Sequence, residues 1–179
     1  MMENKELDEL LDKVFSNVNS WLNFAETKNA ANIALVVACI AAIFSLDSMN
    51  VLLYVICILF TFSGICSLIS FLPRLGQKIV RKFPKLEEKI IKKKVRKDEN
   101  DNLLFFEAIK KYSGNEYAKQ VSKLYFKTSK KDFSKYQLDL ADEIVYNSDI
   151  ASRKYKFFKV AAYLDVVAFM LLAVCFIIA

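Results

Sequence analysis

Three long apolar runs constrain the fold of this chain more than any other feature of its sequence. Residues 30–46 and 51–72 contain no charged side chain, and the third run, residues 157–179, contains only Lys159 and Asp165. As helices, the first two runs would be about 26 Å and about 33 Å long, within the range that a bilayer requires. With 3 Gly and 2 Pro in 179 residues, the chain is unlike a disordered, collagen-like or loop-rich β protein. The sequence predicts an all-α membrane protein with three transmembrane helices.

The residue types that are missing exclude several kinds of chemistry. The chain has no His, which excludes imidazole metal sites, His-dependent nucleophilic catalysis and histidine pH switches. It has no Gly-rich phosphate loop, and its four Cys lie inside the apolar runs without CxxC spacing. Such cysteines are typical of small hydrophobic side chains in helices. We therefore predict no enzyme activity, no catalytic residues, no metal and no cofactor.

The distribution of Lys and Arg predicts the orientation in the membrane. Residues 73–156 hold 22 of the 26 basic residues, against 12 acidic ones, so the positive-inside rule places this segment in the cytoplasm. Three spans then put the N-terminus inside, the short turn at residues 47–50 outside and the C-terminus outside. We expect a multi-pass protein of the bacterial inner membrane.

Four regions follow from this topology. They are an amphipathic cytoplasmic helix over residues 1–28, a transmembrane helical hairpin over 29–72, a basic helix and helical cytoplasmic domain over 73–156, and a third transmembrane helix over 157–179. Residues 73–97 alone carry a net charge of +9. This stretch predicts an amphipathic helix, kinked or restarted at Pro84, that lies on anionic lipid, where each Lys or Arg contributes about 1 kcal/mol.

The N-terminal region carries a heptad pattern of apolar residues, which predicts helix packing along one seam. No Gly or Pro interrupts residues 1–57, so this helix should continue into the first span. The seam could pack inside its own chain, or it could join copies of the chain into a homo-oligomer. Its residues are Leu7, Leu11, Val14, Val18, Trp21 and Ala25.

Further helix signals lie in the cytoplasmic region. Ser113 and Glu116 have the spacing of a capping box, and either Asp132 or Ser134 can start another helix. No Gly or Pro lies between residues 133 and 179. One long helix should therefore run from the cytoplasmic domain through the third span.

Polar residues at or inside the spans are the candidates for an ion path. Such groups are costly in lipid and usually face a bundle interior or water. The residues around Glu26 could also simply mark the headgroup boundary, and Asp165 could pair with a neighbouring helix instead of lining a path. The pore-lining candidates are Glu26, Asn29, Asn32 and Asp165.

The order of these features resembles the Pycsar effector transmembrane family and, more loosely, the SLATT-type membrane effectors of bacterial antiphage nucleotide-signalling systems. The resemblance covers most of the chain and depends on the order and spacing of short motifs. These motifs are Trp21–Lys28, Phe71–Arg74, Leu103–Phe106 followed by Glu116-Tyr117, and Ile150–Tyr155.

The resemblance implies an antiphage effector that impairs the inner membrane in abortive infection. A partner cyclase or nucleotidyltransferase would make the signal, a nucleotide second messenger or short oligonucleotide. Our leading hypothesis is a homo-oligomeric channel or pore gated by that nucleotide, and the alternative is a non-conducting membrane anchor or adaptor that recruits a partner through the cytoplasmic helices. Nucleotides seek cations and aromatic faces, and the ligand-binding candidates are Lys110, Lys111, Tyr112, Lys119, Lys123 and Tyr125.

Overall fold

The computed structural model describes residues 2–72, 97–98, 101–128 and 132–178, and its regular elements over these residues are helices. Three of the described helices are long and apolar enough to cross a membrane, as predicted. The basic helix predicted over residues 73–97, with its break at Pro84, lies outside the described residues except for Lys97. The helices are α1 (Met2–Phe44), α2 (Val51–Phe71), α3 (Phe106–Ile109), α4 (Gly114–Tyr125) and α5 (Lys135–Ile178).

The two longest helices have the continuity that the absence of Gly and Pro predicts. α1 is 43 residues long and α5 is 44 residues long. α5 begins after Ser134 rather than Asp132, because the Ser134 hydroxyl accepts a hydrogen bond from the Gln137 N–H at 3.2 Å. The Gln137 side-chain oxygen in turn accepts from the Ser134 N–H at 3.1 Å. This reciprocal pair is a capping box, which satisfies two N–H groups at the start of the helix.

The chain divides into two compact units. Unit 1 comprises Met1–Ser20 and Pro73–Ile150, and unit 2 comprises Trp21–Leu72 and Ala151–Ala179. Both α1 and α5 therefore contribute residues to both units.

In unit 1, the first part of α1 runs parallel to the first part of α5. The Gln137 amide donates to Asp8 at 2.7 Å, and the Asn147 amide donates to Asn19 at 2.9 Å. The predicted seam lies at this pairing, where Leu7, Leu11, Val14 and Val18 are buried. Its last two members, the half-buried Trp21 and the buried Ala25, belong to unit 2. The seam thus packs inside its own chain, which is the first of the two predicted alternatives, and does not by itself supply a surface for self-association.

The rest of unit 1 is a small helical core. The apolar segment before α4 contributes Leu103, Phe106 and Ile109, which are buried. The hydroxyl of the buried Tyr117 donates to the Leu103 carbonyl at 2.8 Å, which fixes α4 against this segment. α4 begins with the predicted capping box of Ser113 and Glu116.

Unit 2 contains three helical segments, with α2 antiparallel to α1 and α5. At the end near the α1–α2 turn, its interior is entirely apolar, and Phe60 meets Phe169 edge-on at 5.2 Å between ring centroids. We call this region the apolar core; its buried members are Val36, Ile43, Leu53, Ile56, Cys57, Phe60, Ala168 and Cys175.

Candidate functional site

The other half of unit 2 has a polar interior. Apart from Ser152, seven buried polar or charged side chains of unit 2 lie there, and they come from all three helical segments. Polar groups inside membrane helices are costly, so they face one another or a water-filled cavity. We call this set the polar core; its members are Asn29, Asn32, Ser63, Ser67, Ser70, Lys154 and Asp165.

The centre of the polar core is a hydrogen-bonded cluster. The Asn32 amide donates to the hydroxyls of Ser63 at 2.9 Å and Ser67 at 3.1 Å. The Ser63 hydroxyl donates to the Ala161 carbonyl at 3.2 Å, and Asp165 lies within hydrogen-bonding range of Ser63 and Asn32. The cluster therefore joins α1, α2 and α5 through polar contacts at one level of the unit.

Asp165 is the most demanding group in this cluster because it is acidic and only 4% exposed. Its Oδ1 atom is buried and accepts no hydrogen bond from the described residues. The Lys159 ammonium lies over the Tyr163 ring, 5.8 Å from the ring centroid. Among the described residues, Asp165 thus has neutral hydrogen-bond partners rather than a cationic one.

A second group of contacts closes the polar core at the end away from the apolar core. The Lys154 ammonium is 3.0 Å from the Glu26 carboxylate and donates to the Ser70 carbonyl at 3.1 Å. The Asn29 amide donates to the Lys154 carbonyl at 3.3 Å. The Lys154 side chain is 8% exposed, whereas the Glu26 side chain is 45% exposed, so Glu26 lies at the rim. These contacts also join all three helical segments.

All four predicted pore-lining residues thus lie in one unit of a single chain. Glu26 and Asn29 contact Lys154, whereas Asn32 and Asp165 share the central cluster. The other members of the polar core were not predicted from the sequence. The signal was present on α2, where Ser63, Ser67 and Ser70 recur at spacings of four and three residues and so share one helix face.

Aromatic side chains surround a lysine near the rim of unit 2. The Lys28 ammonium lies 4.5 Å from the Phe24 ring centroid, 5.7 Å from that of Tyr155 and 5.4 Å from that of Phe158. Each cation–π contact of this kind contributes about 0.5–1 kcal/mol at an exposed site. Tyr155 and Phe158 therefore hold a cation of α1 against α5.

Three of the six predicted nucleotide-binding residues are bound to acidic side chains of unit 1. Lys110 forms an ion pair with Glu107, and Lys111 forms one with Asp101. The hydroxyl of the buried Tyr112 donates to Asp101 at 3.0 Å. The charges of Lys110 and Lys111 are thus already paired, and their side chains are only 14% and 21% exposed.

The contacts of Asp101 with Lys111 and Tyr112 stabilise its ionised carboxylate. Burial raises the pKa of Asp101, but hydrogen bonds from Lys111, the Asp98 backbone and Tyr112 outweigh burial, so the pKa lies below its ordinary value. Burial, with the hydrogen bond to Asp101, raises the pKa of Tyr112 to about 12. Tyr112 is therefore a neutral hydrogen-bond donor near neutral pH.

The other three predicted residues are more accessible. Lys119 and Lys123 are exposed and lie one turn apart on the same face of α4. Tyr125 is 44% exposed, but its position places it on a different face from both lysines. Lys97 was not among the predicted residues, and its ammonium lies 2.8 Å from the Glu116 carboxylate and 5.4 Å from the Tyr112 ring centroid.

A comparison with known protein families agrees with the resemblance drawn from the motifs. The Pycsar effector protein domain matches residues 10–179, which is nearly the whole chain. No curated protein and no solved structure matches it. The predicted resemblance is thereby confirmed. This membrane protein, with its three apolar helices, belongs to the Pycsar effector family, whose members act in antiphage defence in response to a cyclic nucleotide made by a partner cyclase.

Proposed function

We propose that this antiphage effector is a homo-oligomeric membrane channel or pore that a nucleotide signal gates, and that its action impairs the inner membrane in abortive infection. The polar core of unit 2 is the observation that carries the proposal. Seven buried polar side chains inside apolar helices have a large energetic cost, which a purely anchoring bundle would avoid by using apolar residues. A path for ions is a function that requires such groups.

The resting chain holds this path closed in two places. The apolar core fills the interior of unit 2 near the α1–α2 turn, and the contacts of Lys154 with Glu26 and Ser70 close the opposite end. Opening therefore requires the helical segments to move apart or to exchange partners with those of another copy. Pore lining by Glu26, Asn29, Asn32 and Asp165 belongs to this open state.

The nucleotide would act on the two helices that also line the polar core. α1 and α5 each continue from unit 1 into unit 2 without a break in the helix. A ligand shifts an equilibrium only if it binds one state more tightly than the other. We propose that the nucleotide binds unit 1 with different affinity in the closed and open states.

Lys119 and Lys123 are the first residues to test for nucleotide contact, because they are exposed and share a face of α4. Tyr125 offers an aromatic surface on another face. Lys110, Lys111 and Tyr112 would join the site only after rearrangement, since Glu107 and Asp101 hold them in the present state. The proposed site has no catalytic role.

The proposed orientation follows the charge distribution. The N-terminus and residues 73–156 lie in the cytoplasm, where the partner cyclase makes its signal, and the C-terminus lies outside. The net charge of +9 on residues 73–97 supports an anchor on anionic lipid of the inner leaflet.

Ion flux into liposomes tests the channel directly. The purified chain is reconstituted in vesicles that contain anionic lipid, and flux is followed with a panel of cyclic mononucleotides and cyclic oligonucleotides. We expect one member of the panel to change the flux. Asn32→Leu should lower the open-state flux roughly tenfold, because loss of a hydrogen-bonding group worth about 1.4 kcal/mol corresponds to a factor of ten. The matched control is Asn23→Leu, at an exposed position of α1.

The lysines are tested in the same assay. The double variant Lys119→Gln/Lys123→Gln should raise the nucleotide concentration for half-maximal response by at least roughly tenfold, because each charge-assisted hydrogen bond contributes about 1.5–3 kcal/mol. The control variant Lys5→Gln/Lys13→Gln removes two exposed lysines of α1. If the intact oligomer passes no ions with or without any nucleotide of the panel, the channel proposal is wrong.

A non-conducting anchor or adaptor is the second candidate, and one observation favours it. The apolar core is tightly packed and gives the single chain no polar route through unit 2. In this case residues 98–156 would recruit a partner, and deletion of the third span would leave partner binding intact. Expression with a partner cyclase would then stop growth without depolarising the cells, whereas the channel predicts depolarisation before growth stops.

A further inference from the structure

The central cluster of the polar core has the chemistry of a cation site. It contains one carboxylate, two serine hydroxyls and one amide, drawn from three helical segments. All four side chains are at most 6% exposed. The members of this cluster are Asn32, Ser63, Ser67 and Asp165.

Asp165 provides the observation that points to an occupant. Its Oδ1 atom is buried and accepts no hydrogen bond from the described residues, so half of the carboxylate's capacity is unused. A buried anion without a cationic partner costs several kcal/mol in a protein interior. A small cation at Oδ1 would remove that cost.

A second buried oxygen with the same property lies one helical turn away from Asn32. The Asn29 amide nitrogen donates to the carbonyls of Ala25 and Lys154, at 2.8 Å and 3.3 Å. The Asn29 Oδ1 atom, by contrast, accepts nothing from the described residues. The polar core thus has two buried acceptor oxygens without donors.

The charge of the cluster selects a monovalent cation over a divalent one. Calcium takes six to eight oxygen ligands that usually include several carboxylates, and magnesium keeps several waters. The cluster has a single carboxylate, and the described residues contain no group of three or more Cys, Asp or Glu able to hold a metal ion. One alkali cation would balance the charge of an ionised Asp165, with hydroxyl and amide oxygens replacing part of the cation's hydration shell.

We propose that Asp165, with the hydroxyls of Ser63 and Ser67 and the oxygen of Asn32, forms a binding site for one alkali cation inside unit 2. For this, the Asn32 amide rotates to present its oxygen. The inference rests on the polar core of the proposed function and names its occupant. It concerns equilibrium binding, so it does not require that the path conducts.

The test is thermal unfolding of the purified full-length chain in detergent micelles. N-methylglucamine chloride is replaced stepwise by LiCl, NaCl or KCl at constant ionic strength. We expect a saturable rise of the unfolding midpoint with at least one alkali cation, because a ligand that binds only the folded state stabilises it by mass action. N-methylglucamine is too large to enter the site and serves as the reference cation.

Variants separate the site from general salt effects. Asp165→Asn should abolish the saturable rise, and the milder Ser67→Ala should raise the half-saturating concentration roughly tenfold, the effect of losing about 1.4 kcal/mol. Asp139→Asn, at an exposed position of the same helix, should respond like the unmodified chain. If Asp165→Asn does not fold, Ser67→Ala alone decides, and an unchanged half-saturating concentration there overturns the proposal.

Two further outcomes overturn the inference. One is an unfolding midpoint of the unmodified chain that is the same in all four salts. The other is a midpoint that changes with pH but not with alkali cations, which would mean that a proton neutralises Asp165. Cation binding without flux in liposomes would contradict only the channel, whereas flux without cation binding would contradict only this site.

Discussion

At the scale of single residues, Glu116 connects three parts of unit 1. Its carboxylate accepts hydrogen bonds from the Ser113 N–H at 2.9 Å and from the Lys97 ammonium at 2.8 Å. The hydrogen bond from Lys97, followed by that from the Ser113 backbone, lowers the pKa of Glu116 from 4.5 to about 2. The ionised carboxylate therefore stabilises the start of α4 and holds Lys97 beside it.

This shift predicts a loss of stability in acid. Because the folded pKa lies below the unfolded value of 4.5, Glu116 contributes stability above pH 4.5 and loses it as the pH falls from 4.5 to about 2. Glu116→Gln should lower the unfolding midpoint near neutral pH, and its difference from the unmodified chain should vanish toward pH 2. Circular dichroism melts across this range provide the measurement. Glu143→Gln, at an exposed position of α5, is the control, and a difference that does not change with pH would contradict the prediction.

Single residues also decide which lysines are available to a ligand. Lys110 and Lys111 were predicted as nucleotide contacts on the basis of charge and neighbouring aromatic residues. The Lys110–Glu107 pair has the i,i+3 spacing of neighbours on a helix, whereas Lys111 and Asp101 are ten residues apart and meet only in the folded chain. The net charge of a segment therefore says little about which of its lysines are accessible.

At the scale of elements, the position of α4 depends on one glycine. Gly114 begins α4 and lies directly against α5, where a Cβ atom would overlap the Asp142 carboxylate and lie 2.8 Å from the Asp142 backbone nitrogen. Glycine here permits a close approach between two helices rather than an unusual backbone conformation. No local pattern indicates this role of Gly114, because it depends on Asp142, which is 28 positions away.

Replacement of this glycine tests the close approach. Alanine in an open helix is more favourable than glycine by about 0.5–1 kcal/mol, but the overlap with Asp142 should reverse the sign. We expect Gly114→Ala to lower the free energy of unfolding by about 1–3 kcal/mol, the usual cost of an overpacked site. Denaturant unfolding measured by circular dichroism gives the value. Asn115→Ala is the control at the next, exposed position, and a Gly114→Ala variant as stable as the unmodified chain would show that α4 does not approach α5 this closely.

The long helices illustrate how far local signals reach. The absence of Gly and Pro predicted continuous helices at both ends of the chain, and α1 and α5 confirm it. The heptad seam predicted a packing face, but it left open whether the partner was α5 or another copy. Periodicity identifies the face of a helix that is buried, and only the packed structure identifies the surface that covers it.

At the scale of the whole molecule, the charge distribution predicts one topology that chemistry can test. The exposed Ser48 lies in the α1–α2 turn, and the exposed Lys13 lies on α1. We expect Ser48→Cys to react with a membrane-impermeant maleimide in intact cells and Lys13→Cys to react only after lysis. The unmodified chain, with its four native Cys, provides the background. Labelling of Lys13→Cys in intact cells would invert the proposed orientation.

The sequence by itself determined the three apolar helices, the capping box at Ser113 and the family to which the chain belongs. These features depend on composition, local hydrogen bonding and the order of motifs, all of which can be read along the chain. The tertiary structure alone decided that Asn32, Ser63 and Asp165 meet inside one unit. Their contact depends on the relative rotation of three packed helices, and no local pattern specifies that rotation. The same physical reason explains why Lys154 was missed as a member of the polar core, whereas the spacing of Ser63, Ser67 and Ser70 does mark one face of α2.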